Sequence, residues 1–575
     1  MPRSRPRPLR SVLLAILIAA SPLAATAEDG LTGAYLGARS AEINGDLVAA
    51  ARLYTRAVQF DAENDLLREK AMIFSVAVGD IAGALRHART LEERGAESRQ
   101  VPLLLAVEEI RVGAFPNALR RIEAHRAAFS DLLYALLGGW AALVDDEEDA
   151  QSRFAALTGN DTLRAFGLYH ATLALAVSGR LEDAARMIEA GDLGFLARQR
   201  RVVRAEAEIL AAADHRASAL ARIDAAAESG ISDPGLADLR RRIAAGAPIG
   251  FTLVPNATEG VAEALYGFAL ALGNAEQSRN YAVMLTRLAL YLRPDLAEAR
   301  LLLAELLQTD GQYDLAIAVL AEVPADSPQF LRAETARAAA MAAAGRMDEA
   351  IGVLTGLARS YPSELEPALA LADTLRRQER YAEAAEAYTT AIGLVGAPQP
   401  RHWTLFYHRG ICFERSGEWD RAEADFRKAL ELEPDQPSVL NYLGYSLADM
   451  GRNYAEAEEM IRKAVAKRPR DGYIIDSLAW VLYRLGRYEE AVEPMERAVS
   501  LVPNDPILND HLGDILWMVG RRMEARFQWR RALSFGPEES EIPRIRRKLE
   551  VGLTRVLEEE GAKPAVPRTE AGDGG

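Results

Sequence analysis

The sequence predicts an all-α protein, an α-solenoid wound as a right-handed superhelix from about fourteen helical hairpins in two segments. Three observations predict it. Between Trp403 and Pro537, small residues recur at Gly410, Gly444, Ala479 and Gly513, at steps of 34, 35 and 34. Twelve or thirteen residues after each stands an alanine (Ala422, Ala457, Ala491, Ala525), followed by a large apolar residue four later (Phe426, Ile461, Met495, Trp529). A glycine falls between the two halves of each copy (Gly417, Gly451, Gly486, Gly520), and a proline closes it (Pro434, Pro469, Pro503, Pro537).

Each part of the pattern has a physical reason. Two antiparallel helices approach closely only where the crossing point carries a small side chain, and larger residues then fill the space around it. Glycine follows the first helix because a left-handed C-terminal cap costs least without a Cβ. Proline closes the second because it lacks an amide donor and clashes with the preceding turn. One hairpin buries only one face, so each copy needs neighbours.

Taken in order, the chain opens with Arg3, Arg5, Arg7 and Arg10, an apolar run from Ser11 to Ala20, and Ala25-Thr26-Ala27. These predict a signal peptide over 1–27, cleaved after Ala27; the run is too short for a membrane span and Pro22 interrupts it. The mature form is therefore expected to have no transmembrane span, with peripheral membrane association the remaining alternative. Residues 28–229 carry degenerate copies, with Ala38, Met72, Ala106, Gly138, Thr172 and Ala207 at the small position and Ala50, Ala84, Ala118, Ala150, Ala184 and Ala219 twelve residues on. Glycine and proline clusters then mark 230–260 as a hinge or linker. Repeats resume over 261–540, at Leu270, Ala304, Ala338 and Ala372 before the four regular copies. Residues 541–560 are expected to form a polar capping helix, and 561–575 a disordered tail.

With 49% hydrophobic residues there is ample material for burial. A single cysteine, Cys412, excludes an internal disulfide and reads as a packed core residue. The net charge of −15 speaks against a nucleic-acid partner, which needs a basic stripe. The basic clusters Arg240–Arg242, Arg530-Arg531 and Arg546–Lys548 read as solvated helix faces. The seven histidines are scattered, with no HExxH, CxxC or glycine-rich phosphate loop, and the acidic run Asp145–Glu148 falls at a hairpin turn. No segment is left for a catalytic domain, so the expectation is a protein that is not an enzyme and holds no metal or cofactor.

The inward positions of the first helices are the remaining candidates. They include Tyr407 and Ile411; Asn441 and Tyr445; Tyr473, Asp476, Trp480 and Tyr483; Asp510, Asp514 and Trp517. In a chain with 7% aromatic residues this is a concentration of types favoured at binding hot spots. The expectation is a concave groove that holds an extended peptide or a helix, aromatic rings gripping apolar side chains and polar groups fixing the backbone. Packing between neighbouring first helices is the competing role for the same rings.

The 34-residue pattern resembles the tetratricopeptide repeat, TPR, and the resemblance is sharpest in Asn441–Asp449, Ile475–Trp480 with Leu485–Ala491, and His511–Asp514 with Trp517 and Gly520–Arg522. The C-terminal half is similar to exported proteobacterial TPR proteins. That resemblance implies a periplasmic scaffold or adaptor of the cell envelope that binds envelope proteins and has no catalytic activity. Alternatives are a scaffold for exopolysaccharide secretion and a cell-wall-active enzyme. Chaperone-binding members of the family clamp a carboxylate with lysine, asparagine and arginine; here Tyr407, Ile411, Tyr442, Tyr473 and Ser477 stand at those places, so that activity is not implied.

Overall fold

A computed structural model describes residues 30–159, 163–231, 233–273 and 275–561. The predicted leader and nearly all of the predicted tail lie outside the described residues. Those residues form 31 α-helices with short 3-10 turns and no strand. Successive helices pack as hairpins, from Leu31–Ile43 with Leu47–Phe60 to Pro506–Met518 with Arg522–Ser534. The chain divides into two compact units, at Val353/Leu354 inside the helix Met347–Ser360.

The sequence signals act where the physics puts them. Gly417, Gly451, Gly486 and Gly520 all adopt positive φ, between 71° and 83°, after their first helices. The second helices end at Leu432, Lys467, Leu501 and Ser534, two or three residues before their prolines. Asp471 and Asp505 cap the next first helices by accepting hydrogen bonds from two backbone amides each. The acidic run at 145–148 is also a cap: Asp146 accepts from the Asp149 amide, and Glu147 and Glu148 lie in the first turn, where the helix dipole favours negative charge.

Glycine at the small position faces the large residue of the partner helix. A Cβ on Gly410 would stand 2.7 Å from the Phe426 ring, and one on Gly444 2.8 Å from Ile461 Cγ1. In the degenerate copy at 131–155 this role moves by one residue: Gly139, rather than Gly138, lies against Phe154. Cys412 is fully buried, as expected, and burial pushes its thiol up to about 12.

Within the first unit, the stretch 230–260 is ordered between its two glycine/proline clusters. It contains the helix Pro234–Ala244, capped by Asp233, and then an extended segment fastened to the repeats. The buried Glu208 carboxylate accepts from the Thr252 and Leu253 amides at 2.9 and 3.1 Å, while Arg201 and Arg293 donate to the Leu253 carbonyl. A buried carboxylate needs donors, and this non-helical backbone supplies them. The following hairpin covers the first helices of the degenerate copies. Ala257–Leu272 packs on Asp131–Ala142 and Arg164–Val177, and Arg279–Leu292 packs on Asp65–Val78 and Gln100–Arg111. Gly260 lies against the ring of Trp140, closer than any Cβ could approach.

In the second unit the expected capping helix is two helices, Ile542–Val551 and Leu553–Glu559, joined at Gly552 with φ 85°. Lys548, expected on a solvated face, has no exposed surface at all. No described helix is long and apolar enough to cross a membrane.

Candidate protein-binding face

The first helices of the regular copies, Trp403–Arg415, Pro437–Asp449, Gly472–Arg484 and Pro506–Met518, run side by side. The second of these touches the third, and the third the fourth. In three of the four copies the residue two before the small position (His408, Tyr442, His511) reaches back to the preceding first helix, whereas Ser477 donates to the Tyr473 carbonyl of its own helix. Tyr442 stands edge-on to Tyr407, ring centroids 6.0 Å apart, and its hydroxyl donates to Glu414 at 3.0 Å. His511 stacks on Trp480 at 4.0 Å and places Nδ1 2.8 Å from Asp476 Oδ1. His408 lies 3.8 Å from Asp373 Oδ1 in the same manner. This position was legible as a periodic polar or aromatic place (His408, Tyr442, Ser477, His511), but the inward template passed over it.

The predicted residues separate into two groups. Tyr407, Asn441, Tyr445 and Trp480 are half-buried on neighbouring helices. Burial raises the Tyr407 hydroxyl above the usual phenol range; for Tyr445 burial acts first, with Asp449 and Asp476 adding to it. Trp403 extends the ring series, 5.8 Å from Tyr407. Trp480 lies between His511 and Tyr483, the latter 4.8 Å away and stacked. Two polar atoms of this group are buried without a hydrogen-bond partner: Asn441 Oδ1, an acceptor, and Trp480 Nε1, a donor. Tyr473 is 55% exposed, and its hydroxyl donates to Asp505 at 3.2 Å.

The other predicted residues are engaged by the protein itself, which corrects the expectation that the open face runs to Trp517. Lys548 Nζ donates to Asp510 Oδ2 at 2.6 Å and to both Asp514 oxygens at 2.8 Å. Trp529 Nε1 also donates to Asp514, at 2.8 Å. Burial pushes the Asp514 carboxyl up, against the pull of Lys548. Trp517 donates to Thr554 at 3.0 Å and lies against Gly552, where a Cβ would overlap its ring. Asp476 and Tyr483 are buried, the first held by His511 and the second packed on Tyr488 at 5.4 Å. The physical reason is the one that requires a cap: the last first helix has no following repeat, and the two C-terminal helices cover it. Sequence spacing locates inward positions but not which of them the chain covers itself.

Residues 369–437 and 442–506 match the tetratricopeptide repeat family. These residues carry tetratricopeptide repeats. A TPR repeat-containing protein of Pseudomonas aeruginosa is 32% identical over 159 residues, which is 28% of this chain. The chain spans about a quarter (26%) of that relative's length. Among solved structures, a tetratricopeptide repeat protein from Parabacteroides merdae is 19% identical, with a TM-score of 0.37, and covers 45% of this chain and 98% of its own. The TPR protein YrrB is 17% identical, with a TM-score of 0.28, over 34% of this chain and 97% of its own. The matched residues include Tyr407, Tyr445 and Trp480; Asn441 falls between the two matched stretches, and Lys548 and the cap lie beyond them.

Proposed function

We propose that the protein is a non-catalytic scaffold or adaptor of the bacterial cell envelope, which holds an extended peptide of a partner protein on its TPR face between Trp403 and Trp480. The observation that carries this reading is the pair of unpartnered polar atoms among half-buried rings, Asn441 Oδ1 and Trp480 Nε1. An unsatisfied buried polar atom costs about 1–3 kcal/mol. A peptide backbone offers a donor and an acceptor in each unit, and can satisfy both atoms once the surrounding rings shift to admit it. Tyr407, Tyr445 and Trp480 supply rigid apolar area beside these atoms, the composition found at interface hot spots. The cap closes the far end, so the peptide is read on the side of the face away from Lys548.

The leader predicted from Met1 to Ala27 supports export, and with it an envelope partner. The test is affinity capture from crosslinked cells with the full chain and with the Asn441→Ala, Trp480→Ala double variant, cell fractionation being run in parallel. The wild-type chain should recover envelope proteins, and the double variant should lose them while keeping its helical circular dichroism. Truncating Trp480 alone should cost about 2 kcal/mol of affinity for the recovered partner. Equal recovery by the variant removes the face from the reading; recovery of ribosomes or cytoplasmic enzymes removes the envelope role.

A further inference from the structure

The first compact unit contains a cleft of about 720 Å³ built from side chains between Phe166 and Ala339. Its floor is a fixed polar network. Arg201 Nε donates to Glu263 Oε2 at 2.6 Å, Arg201 Nη1 lies 3.4 Å from Glu298, and the Tyr169 hydroxyl donates to Glu263 Oε1 at 3.0 Å. Arg201 and Glu263 are buried, so this floor is satisfied internally and asks for no counter-ion.

The walls are different. Arg198, Arg200 and Arg332 line the cleft, are exposed, and make no ion pair or hydrogen bond with any described side chain. Other exposed arginines of this unit pair with carboxylates, as Arg240 does with Asp224 and Arg241 with Asp238, although Arg86 and Arg99, outside the cleft, pair with no described carboxylate either. What sets the cleft apart is that three guanidinium groups with no carboxylate among the described residues converge on one concave site of a chain of net charge −15. Beside them, Gln199, Gln308 and Gln329 are half-buried, and their side-chain amides have no hydrogen-bond partner among the described residues.

We propose that this cleft binds an extended, carboxylate-rich segment of a partner protein, at a site separate from the TPR face. Guanidinium groups recognise carboxylates through paired, charge-assisted hydrogen bonds. A glutamine amide carries a donor and an acceptor, the complement of a peptide unit. Phe166 and Tyr266 add ring surface for apolar side chains between the acids. Glu298, Glu305 and Asp233 also line the cleft, which disfavours a densely charged polyphosphate but leaves room for carboxylates spaced along a chain. The volume lies within the range of well-formed ligand sites.

The test is fluorescence anisotropy on the full chain, with a labelled octapeptide of alternating glutamate and leucine and with its glutamine counterpart. The glutamate peptide should bind at least about tenfold more tightly than the glutamine one, a preference that weakens with added salt. The Arg200→Gln, Arg332→Gln double variant should lose about tenfold in affinity or more, while Arg241→Gln, outside the cleft, should bind as wild type. Both replaced arginines are exposed, and an unchanged thermal melt shows that the fold is kept. Equal binding of the two peptides, no binding of either, or full affinity in the double variant overturns the proposal. Displacement of the glutamate peptide by an equal concentration of inorganic phosphate would make the cleft a simple anion site and overturn it too. Because the probe reads residues of the first unit, its failure leaves the TPR-face reading untouched.

Discussion

Gly444 shows how much one residue carries. Its position on Pro437–Asp449 places a notional Cβ 2.8 Å from Ile461 Cγ1 and 3.0 Å from the Ala457 carbonyl oxygen. The second neighbour is backbone and cannot rotate away. Alanine is the better helix former by about 1 kcal/mol, but overpacking a filled core costs about 1–3 kcal/mol. The Gly444→Ala variant is therefore expected to be less stable by a net of up to about 2 kcal/mol, visible as a lower urea midpoint with unchanged slope. An unchanged or raised midpoint would show that the hairpin can open at no cost. The small residues were legible as such because their spacing is a backbone property. Gly139 was misplaced by one residue because only the contact with Phe154, and no feature of the sequence, tells it from Gly138.

At the scale of the element, the C-terminal pair of helices is the informative case. A run of arginine, lysine and glutamate predicts solvated faces, and most of it is solvated, as with Arg546 and Arg547. Lys548 is the exception because Ile542–Val551 turns that one position onto Pro506–Met518, where two carboxylates wait. Removing the ammonium in Lys548→Met takes the shared ion-pair partner from the buried Asp510 and Asp514, leaving Trp529 Nε1 and, at 3.7 Å, Arg544 facing Asp514, a loss of about 3–5 kcal/mol. Hydrogen exchange in the two capping helices should accelerate, and adding Asp510→Asn and Asp514→Asn should restore much of the loss. If the single variant keeps wild-type exchange, Lys548 is not the fastening. The same elements decide the binding face: Trp480 keeps a donor to offer, whereas Trp517 has given its own to Thr554.

For the whole molecule, the division into two compact units has a consequence for pH, because each unit holds a histidine shifted in the opposite direction. In the first unit, burial pushes His170 down to about 3, and its Nδ1 accepts from Trp140 Nε1 at 3.0 Å, which requires the neutral ring. The unfolded chain takes up this proton from about pH 6.5 downward, the folded one only near 3. His170 therefore costs stability as pH falls through that window, roughly 2–3 kcal/mol at pH 4.5. In the second unit, burial opposes charge on His511, but Asp476, with Asp510 and Asp514 behind it, outweighs that and raises it above its ordinary value. Its contribution is present below about pH 6.5 and is lost as pH rises through the folded value. Scanning calorimetry should show two transitions that separate on acidification from pH 7 to 4.5, the one assigned to the first unit moving down more. His170→Gln, which keeps an acceptor for Trp140, should reduce that movement. Transitions that move together would show that this histidine does not govern acid stability.

The sequence by itself determined the hairpins, their spacing, their caps and their breaks, because these follow from local rules: a small residue at a crossing, a glycine at positive φ, a proline where a helix must stop. It also determined which side of each first helix faces inward, since the period of the helix fixes that. Only the tertiary structure decided which inward residues remain open. Glu208 fastening the 252–253 amides, Gly260 under Trp140, and Lys548 between Asp510 and Asp514 join residues 34 to 120 positions apart, or about that. No local propensity encodes contacts at such separations, and of the predicted face they leave Tyr473 exposed and Tyr407, Asn441, Tyr445 and Trp480 half-buried.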